Sequence, residues 1–173
     1  GIPYVTHPLE VALILTQLRM DVHTIAGALL HDTMEDTGAT EDQIAREFGS
    51  EVALLVNGVT KLKKLEFGSR EEHQAESFRK MVLAMAKDIR VILIKLADRL
   101  HNLRTLEYLA EDKQRRIGQE TLDIYAPLAN RLGISWLKSE LEDLSFRYVH
   151  PHMYEELSQQ LVSADQAREE LLI

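Results

Sequence analysis

The residues able to do chemistry in this chain fall in three separate places. His7 stands alone near the start, His31-Asp32 and Glu35-Asp36 sit close together, and Asp98 lies far downstream. One imidazole, then an imidazole beside a carboxylate, then a distant carboxylate, make a mixed nitrogen and oxygen donor set for a divalent cation. The oxygens suit Mn2+ or Mg2+, and the imidazoles favour Mn2+, Fe2+ or Zn2+ over Mg2+, so ligand type does not choose the metal. Four protein ligands on a six-coordinate ion would leave positions for water and substrate. The rival reading of the acidic residues is a solvated helix end. Against it stand three carboxylates beside the apolar Ile25 and Leu29, because buried charge needs a counter-charge or a metal.

Helices must position these groups. Apolar residues recur at steps of three and four with no sustained alternation, so the fold is predicted to be an all-α helical bundle. The β-branched run Val91–Ile94 lies inside a longer helical pattern and reads as buried helix. The first helix is predicted over 8–19, with Pro8 at its first position and His7 at the cap. A second, over 21–34 with Asp21 as N-cap, carries the His-Asp pair. On a helical wheel continued through this segment, His31, Asp32, Glu35 and Asp36 span roughly 140° of arc. Thr37-Gly38 breaks it, and Thr40 with Gln43 reads as a capping box for a helix over 41–48 that Gly49 ends. A short helix over 50–57 precedes a mobile loop over 61–72, followed by helices over 73–87, 88–109 and 112–130. Gly133 marks a turn before helices over 134–148 and 151–172.

The helix over 88–109 has two faces. With Asp98 at 0°, Lys95, Asn102 and Thr105 lie within about 60° of it, while Leu93, Leu96, Leu100 and Leu103 cluster opposite. Lys95, Asp98, Asn102 and Thr105 thus form a polar stripe that either faces water or serves a site. His23 and His73 read as surface or satisfied-core residues, and His101 as packing. His150-Pro151-His152 reads as a linker turn, and Trp136 with Leu141–Tyr148 as core or inter-domain packing.

The chain has 173 residues, no cysteine and a formal net charge of −8. The length fits one domain or one domain with an appendage. Disulfides, thiolate metal sites and cysteine nucleophiles are excluded, which fits a cytoplasmic setting. No apolar run reaches the roughly 18–20 residues that span a bilayer, so no membrane role is expected. The acidic balance argues against broad attraction to DNA or RNA. An anionic ligand would need local positive charge, for which Lys61, Lys63, Lys64, Lys95, Arg99 and Arg104 are candidates, Arg99 foremost because it adjoins Asp98.

Longer strings surround these residues. Tyr4-Val-Thr-His-Pro-Leu-Glu-Val-Ala12, His31-Asp-Thr-Met-Glu-Asp-Thr37 and Ile94-Lys-Leu-Ala-Asp-Arg-Leu-His-Asn-Leu-Arg-Thr105 resemble the HD hydrolase domain of the Rel/Spo family, the stringent-response enzymes that make and degrade ppGpp and pppGpp. The likeness continues through Asn57–Lys61, Phe78–Met81, Tyr125–Ala129, Arg131–Ile134 and Leu141–Tyr148 and so covers most of the chain.

The resemblance implies hydrolysis of the 3′-pyrophosphate, giving GDP or GTP and pyrophosphate. It places the family's metal ligands on His7, His31, Asp32 and Asp98, with Mn2+ as the metal, and its catalytic acidic pair on Glu35 and Asp36. All four residues of the His-Asp and Glu-Asp pairs are kept, which implies a competent hydrolase. Asn102 and Thr105 match positions that contact the nucleotide, with Arg99 and Lys95 as further substrate candidates. The resemblance divides the chain into a hydrolase domain over 1–130 and helices over 131–173 that lead toward a synthetase domain in cis. It also reads Gly1 as lying in mid-motif, without a preceding basic stretch that helps hold guanine. The alternatives are another HD nucleotide phosphohydrolase, a regulatory module that binds nucleotide without cleaving it, or a structural bundle with an incidental acidic surface.

Overall fold

A computed structural model of the chain describes residues 3–63, 79, 83 and 87–170, and among them it is helical with no strand. Two compact units are present, Gly1–Asn102 and Leu103–Ile173.

In the first unit, α1 (Thr6–Gln17) packs on α2 (Val22–Leu30), which in turn packs on α5 (Ser50–Lys63). Helix α1 begins before the predicted position. The backbone N–H groups of Thr6 and His7 already bond to the carbonyls of Pro3 and Tyr4, so His7 lies inside the first turn and not at the cap. Pro8 is tolerated there because the first N–H groups of a helix have no intrahelical partner.

Asp21 caps α2 as predicted, accepting from the N–H groups of His23 and Thr24. The helix does not run on to 34. It ends at Leu30, and the short α3 (Thr33–Asp36) begins after His31 and Asp32. The His31 Nδ1 donates to the Ala28 carbonyl at 2.7 Å and draws on an acceptor that the helical ladder would use. The wheel drawn through 31, 32, 35 and 36 therefore does not describe their directions.

The capping box of Thr40 and Gln43 opens α4 (Glu41–Phe48), and Gly49 at φ 93° ends it, a left-handed conformation that favours glycine. Helix α5 runs six residues past its predicted end, so Lys61 is helical and not in a loop. Most of the predicted loop over 61–72 and of the helix over 73–87, with Lys64 and His73, lies outside the described residues.

Helix α6 (Ile89–Arg104) carries Val91, Ile92, Ile94, Leu96, Ala97 and Leu100 into the core. Its approach to α5 depends on Gly58, where an added Cβ would stand 2.7 Å from Val91 Cγ2. Gly27 of α2 makes a similar allowance, at 3.3 Å from Leu55 Cβ and 3.4 Å from Ile94 Cδ1. The helix stops five residues short of its predicted end, at a 3₁₀ turn over Leu106–Tyr108.

In the second unit the predicted helix over 112–130 is divided. Helix α7 (Glu111–Glu120) leads into a π turn, Thr121–Tyr125, and then α8 (Ala126–Arg131). Pro127 accounts for the division, since it has no N–H to give and its ring would clash with the carbonyl four residues back. Gly133 at φ 74° turns the chain into α9 (Ser135–Val149), and α10 (Pro151–Glu170) follows. Leu137, Leu141, Ser145 and Val149 of α9 are buried, whereas Trp136 is 38% exposed and not a core residue. His150 ends α9, but Pro151 and His152 already belong to α10, so the linker turn predicted over His150-Pro151-His152 shrinks to His150. No helix among the described residues is long and apolar enough to cross a membrane.

Candidate functional site

Three stretches of the first unit meet at one point. His7 comes from the first turn of α1, His31 and Asp32 from the junction between α2 and α3, and Asp98 from the middle of α6. His7 Nε2 lies 3.3 Å from Asp98 Oδ1 and 3.8 Å from Asp32 Oδ2. His31 Nε2 lies 3.3 Å from Asp32 Oδ2 and 3.8 Å from Asp98 Oδ1. The two Nε2 atoms are 3.3 Å apart. The ligand atoms of His7, His31 and Asp98 all fall within 4.8 Å of one another.

Burial makes this convergence costly for bare charge. His31 and Asp98 are buried, and His7 and Asp32 are partly so. Burial pushes the His31 imidazole down, but the Asp32 hydrogen bond and the negative charges of Asp98 and Asp32 outweigh it, and the net shift is upward. Burial raises the Asp98 carboxyl, yet the Lys95 ammonium and the two imidazoles hold it well below the usual carboxylate range. The His31 shift is set by the carboxylates around it, whereas Asp98 answers first to Lys95 and then to the imidazoles. The donor set of imidazole nitrogens and carboxylate oxygens therefore fits a divalent cation.

The polar stripe of α6 does not face water as a whole. Lys95, Asp98 and Arg99 are buried. Lys95 Nζ donates to Asp98 Oδ2 at 2.8 Å, and Asn102 Nδ2 donates to Asp98 Oδ1 at 2.7 Å. Lys95 and Asn102 thus grip the carboxylate itself, one on each oxygen. Asn102 is exposed and Thr105 stands past the end of α6, at the start of the 3₁₀ turn in the second unit. Glu35 is half-buried on α3, its backbone N–H bonded to the Asp32 carbonyl at 3.0 Å, and Asp36 is exposed one residue on.

Two residues that sequence reasoning did not promote touch this set. The Tyr4 hydroxyl donates to Asp32 Oδ2 at 3.2 Å and also to Asp36. Burial and the two carboxylates push its phenol upward, so it stays a donor. His101, read from sequence as packing, places its Nδ1 2.7 Å from His7 Nδ1. Tyr4 precedes His7 by three residues and His101 follows Asp98 by three, so one-turn spacing from a candidate ligand was the signal available for both. His23 is a surface residue as expected, between Asp21 and Glu51, which Arg90 also engages. Those groups form a second cluster whose ligand atoms approach within 4.8 Å, all of it exposed.

A family model described as an HD domain matches residues 1–135. The chain is 61% identical to a GTP pyrophosphokinase of Myxococcus xanthus over 99% of its own length and 23% of the relative's. It is 57% identical to the guanosine-3′,5′-bis(diphosphate) 3′-pyrophosphohydrolase of Haemophilus influenzae, over 99% of this chain and 25% of that one. It thus spans about a quarter of the length of these curated relatives. Among solved structures, a metazoan ortholog of SpoT that hydrolyses ppGpp is 33% identical with a TM-score of 0.60, covering 84% of this chain and 80% of that one.

Proposed function

The chain belongs to the HD-domain family, in its Rel/Spo branch, and from that premise we propose that it hydrolyses ppGpp and pppGpp, releasing the 3′-pyrophosphate and leaving GDP or GTP. The observation that carries this reading is the meeting of His7, His31, Asp32 and Asp98 from three distant stretches. These four residues would hold the cation; the mixed imidazole and carboxylate donors accommodate Mn2+, the metal that the family resemblance implies. When bound, the cation supplies Lewis-acid stabilisation of phosphoryl charge and raises the acidity of water.

The chain's own residues supply the rest. Glu35 acts as general base and takes the proton of the attacking water. The water oxygen bonds to phosphorus, the bond from phosphorus to the 3′-oxygen breaks, and the proton held by Glu35 passes to the departing 3′-oxygen, leaving a 3′-hydroxyl and pyrophosphate. Asp36 shares the Tyr4 hydroxyl with Asp32, which supports an orienting part for Asp36 and the base role for Glu35. Lys95 and Asn102 fix the Asp98 carboxylate, and the exposed side of Asn102, with the charge of Arg99 beside Asp98, supports a role for α6 in receiving the nucleotide. The absence of cysteine supports a cytoplasmic setting. The name and greater length of the Myxococcus xanthus relative support a pyrophosphokinase activity in cis, with the helices over 131–173 as the connection to it.

The test is to incubate the chain with ppGpp and resolve the nucleotides by ion-exchange chromatography. Mn2+ should yield GDP and pyrophosphate, EDTA should stop the reaction, and dNTPs and cyclic dinucleotides should persist. Glu35→Gln should retain Mn2+ while kcat falls about 100-fold or more. Turnover that survives EDTA would refute the metal mechanism, and an unchanged kcat in Glu35→Gln would remove its base role.

A further inference from the structure

A histidine that offers one ring nitrogen to a cation must carry its proton on the other. That other nitrogen needs an acceptor, and the acceptor fixes both the tautomer and the ring's direction. For His31 the acceptor is plain. Its Nδ1 lies 2.7 Å from the Ala28 carbonyl, which can only accept, so Nδ1 carries a proton and Nε2, which faces Asp32, Asp98 and His7, is the nitrogen a cation would take.

His7 has no backbone carbonyl among the partners of its Nδ1 in the described contacts. What stands there is a second imidazole, His101, with Nδ1 to Nδ1 at 2.7 Å and the two rings tilted by 53°. A hydrogen bond across that gap needs one proton between the two nitrogens. If His7 Nδ1 carries it, His7 Nε2 presents its lone pair to Asp98 and His31; if His101 Nδ1 carries it, His7 Nε2 must bear a proton and turns from acceptor into donor. A proton on Nε2 would stand where the cation binds, so the His101 tautomer selects between a binding-competent and a blocked His7.

We propose that His101 is a positioning residue for His7: its Nδ1 accepts the His7 Nδ1 proton and thereby holds His7 Nε2 open as a cation ligand. This rests on the reading of His7 as a ligand. Helix α6 then contributes both Asp98 and, one turn later, the group that orients the ligand arriving from α1. Because the site is assembled from separate stretches, one helix sets the geometry of two of its corners.

The test uses the full chain with His101→Phe, which keeps the ring and removes the acceptor, and His101→Asn, whose amide oxygen can stand in for Nδ1. Mn2+ affinity is read by the EPR signal of free Mn2+, and the His101 tautomer by long-range 1H–15N NMR of the chain loaded with diamagnetic Zn2+. His101→Phe should weaken Mn2+ binding about 10- to 100-fold, and His101→Asn should recover it to within a few-fold. Zn2+-loaded wild type should show His101 unprotonated at Nδ1, facing a proton on His7 Nδ1. Binding by His101→Phe within twofold of wild type would overturn the proposal. So would a Zn2+-loaded wild type whose His101 carries a proton on Nδ1, a result that stands even if the Phe variant fails to fold. A His7→Ala chain that binds Mn2+ like wild type would instead end the underlying reading of His7 as a ligand, whatever the His101 tautomer shows in wild type.

Discussion

Asp98 carries two burdens at once. One oxygen accepts from Asn102 and faces His7, and the other accepts from Lys95 at 2.8 Å, with both members of that ion pair buried. Removing the carboxylate therefore costs more than a ligand, because the Lys95 ammonium stays in a site shaped to neutralise it. Asp98→Ala should abolish Mn2+ binding and also lower unfolding free energy by about 3 kcal/mol in urea denaturation. Adding Lys95→Met should regain much of the stability and none of the metal binding. If the double variant is no more stable than Asp98→Ala, the pair is not what makes the single change costly. At this scale the sequence displayed the residue types and little of their pairing. From sequence, Lys95 and Asn102 read as part of a polar stripe that either faces water or serves a site, and the folded helix shows both hydrogen-bonded to Asp98. Tyr4 and His101 could not be ranked above other aromatics and histidines, since their contacts reach 28 and 94 residues away.

At the scale of elements, helix contacts and caps set the energetics. Helices α5 and α6 meet where Gly58 has no side chain, and Val91 there is buried and stiff at its branched Cβ. Gly58→Ala should lower stability by about 1–3 kcal/mol through overpacking, despite the better helix propensity of alanine. A denaturation midpoint at or above wild type would show that the two helices separate freely. Asp21 gives a pH-dependent counterpart. Its hydrogen bond with the Thr24 hydroxyl, opposed by modest burial, and the Thr24 and His23 N–H groups bring its carboxyl to about 2. A carboxyl depressed in the folded state stabilises above its unfolded value, and that stability is lost as pH falls through the folded one. Asp21→Ala should therefore cost about 1 kcal/mol near neutral pH, and the gap to wild type should close between about pH 4 and pH 2. A gap of constant size across that range would show that the cap acts without its charge. Caps and glycine stops were legible because they are local chemistry: Asp21, the Thr40 and Gln43 box, Gly49 and Gly133 all lie where the sequence puts them. The break at His31 was not, because it depends on a side chain bonding back to the Ala28 carbonyl. The helix predicted over 112–130 took no account of Pro127, which a π turn accommodates without ending the helical path.

For the molecule as a whole, the three- and four-residue apolar period was enough to fix an all-helical fold, and it carried the β-branched run Val91–Ile94 into α6. The division at Asn102 was hidden, because α6 passes through it with no proline, glycine or change of pattern. The net charge of −8 sets the problem that the proposed site would have to solve, namely holding an anionic nucleotide on an acidic protein. A cation bound among His7, His31, Asp32 and Asp98, as proposed, would be a local answer to that global repulsion. The measurement that tests this most directly is anomalous scattering from crystals of the chain grown with Mn2+, recorded on both sides of the manganese absorption edge. One manganese peak bonded to both imidazole Nε2 atoms and to the Asp32 and Asp98 carboxylates is the result predicted. Crystals that bind manganese elsewhere, or leave those four side chains without a peak at saturating Mn2+, would contradict it.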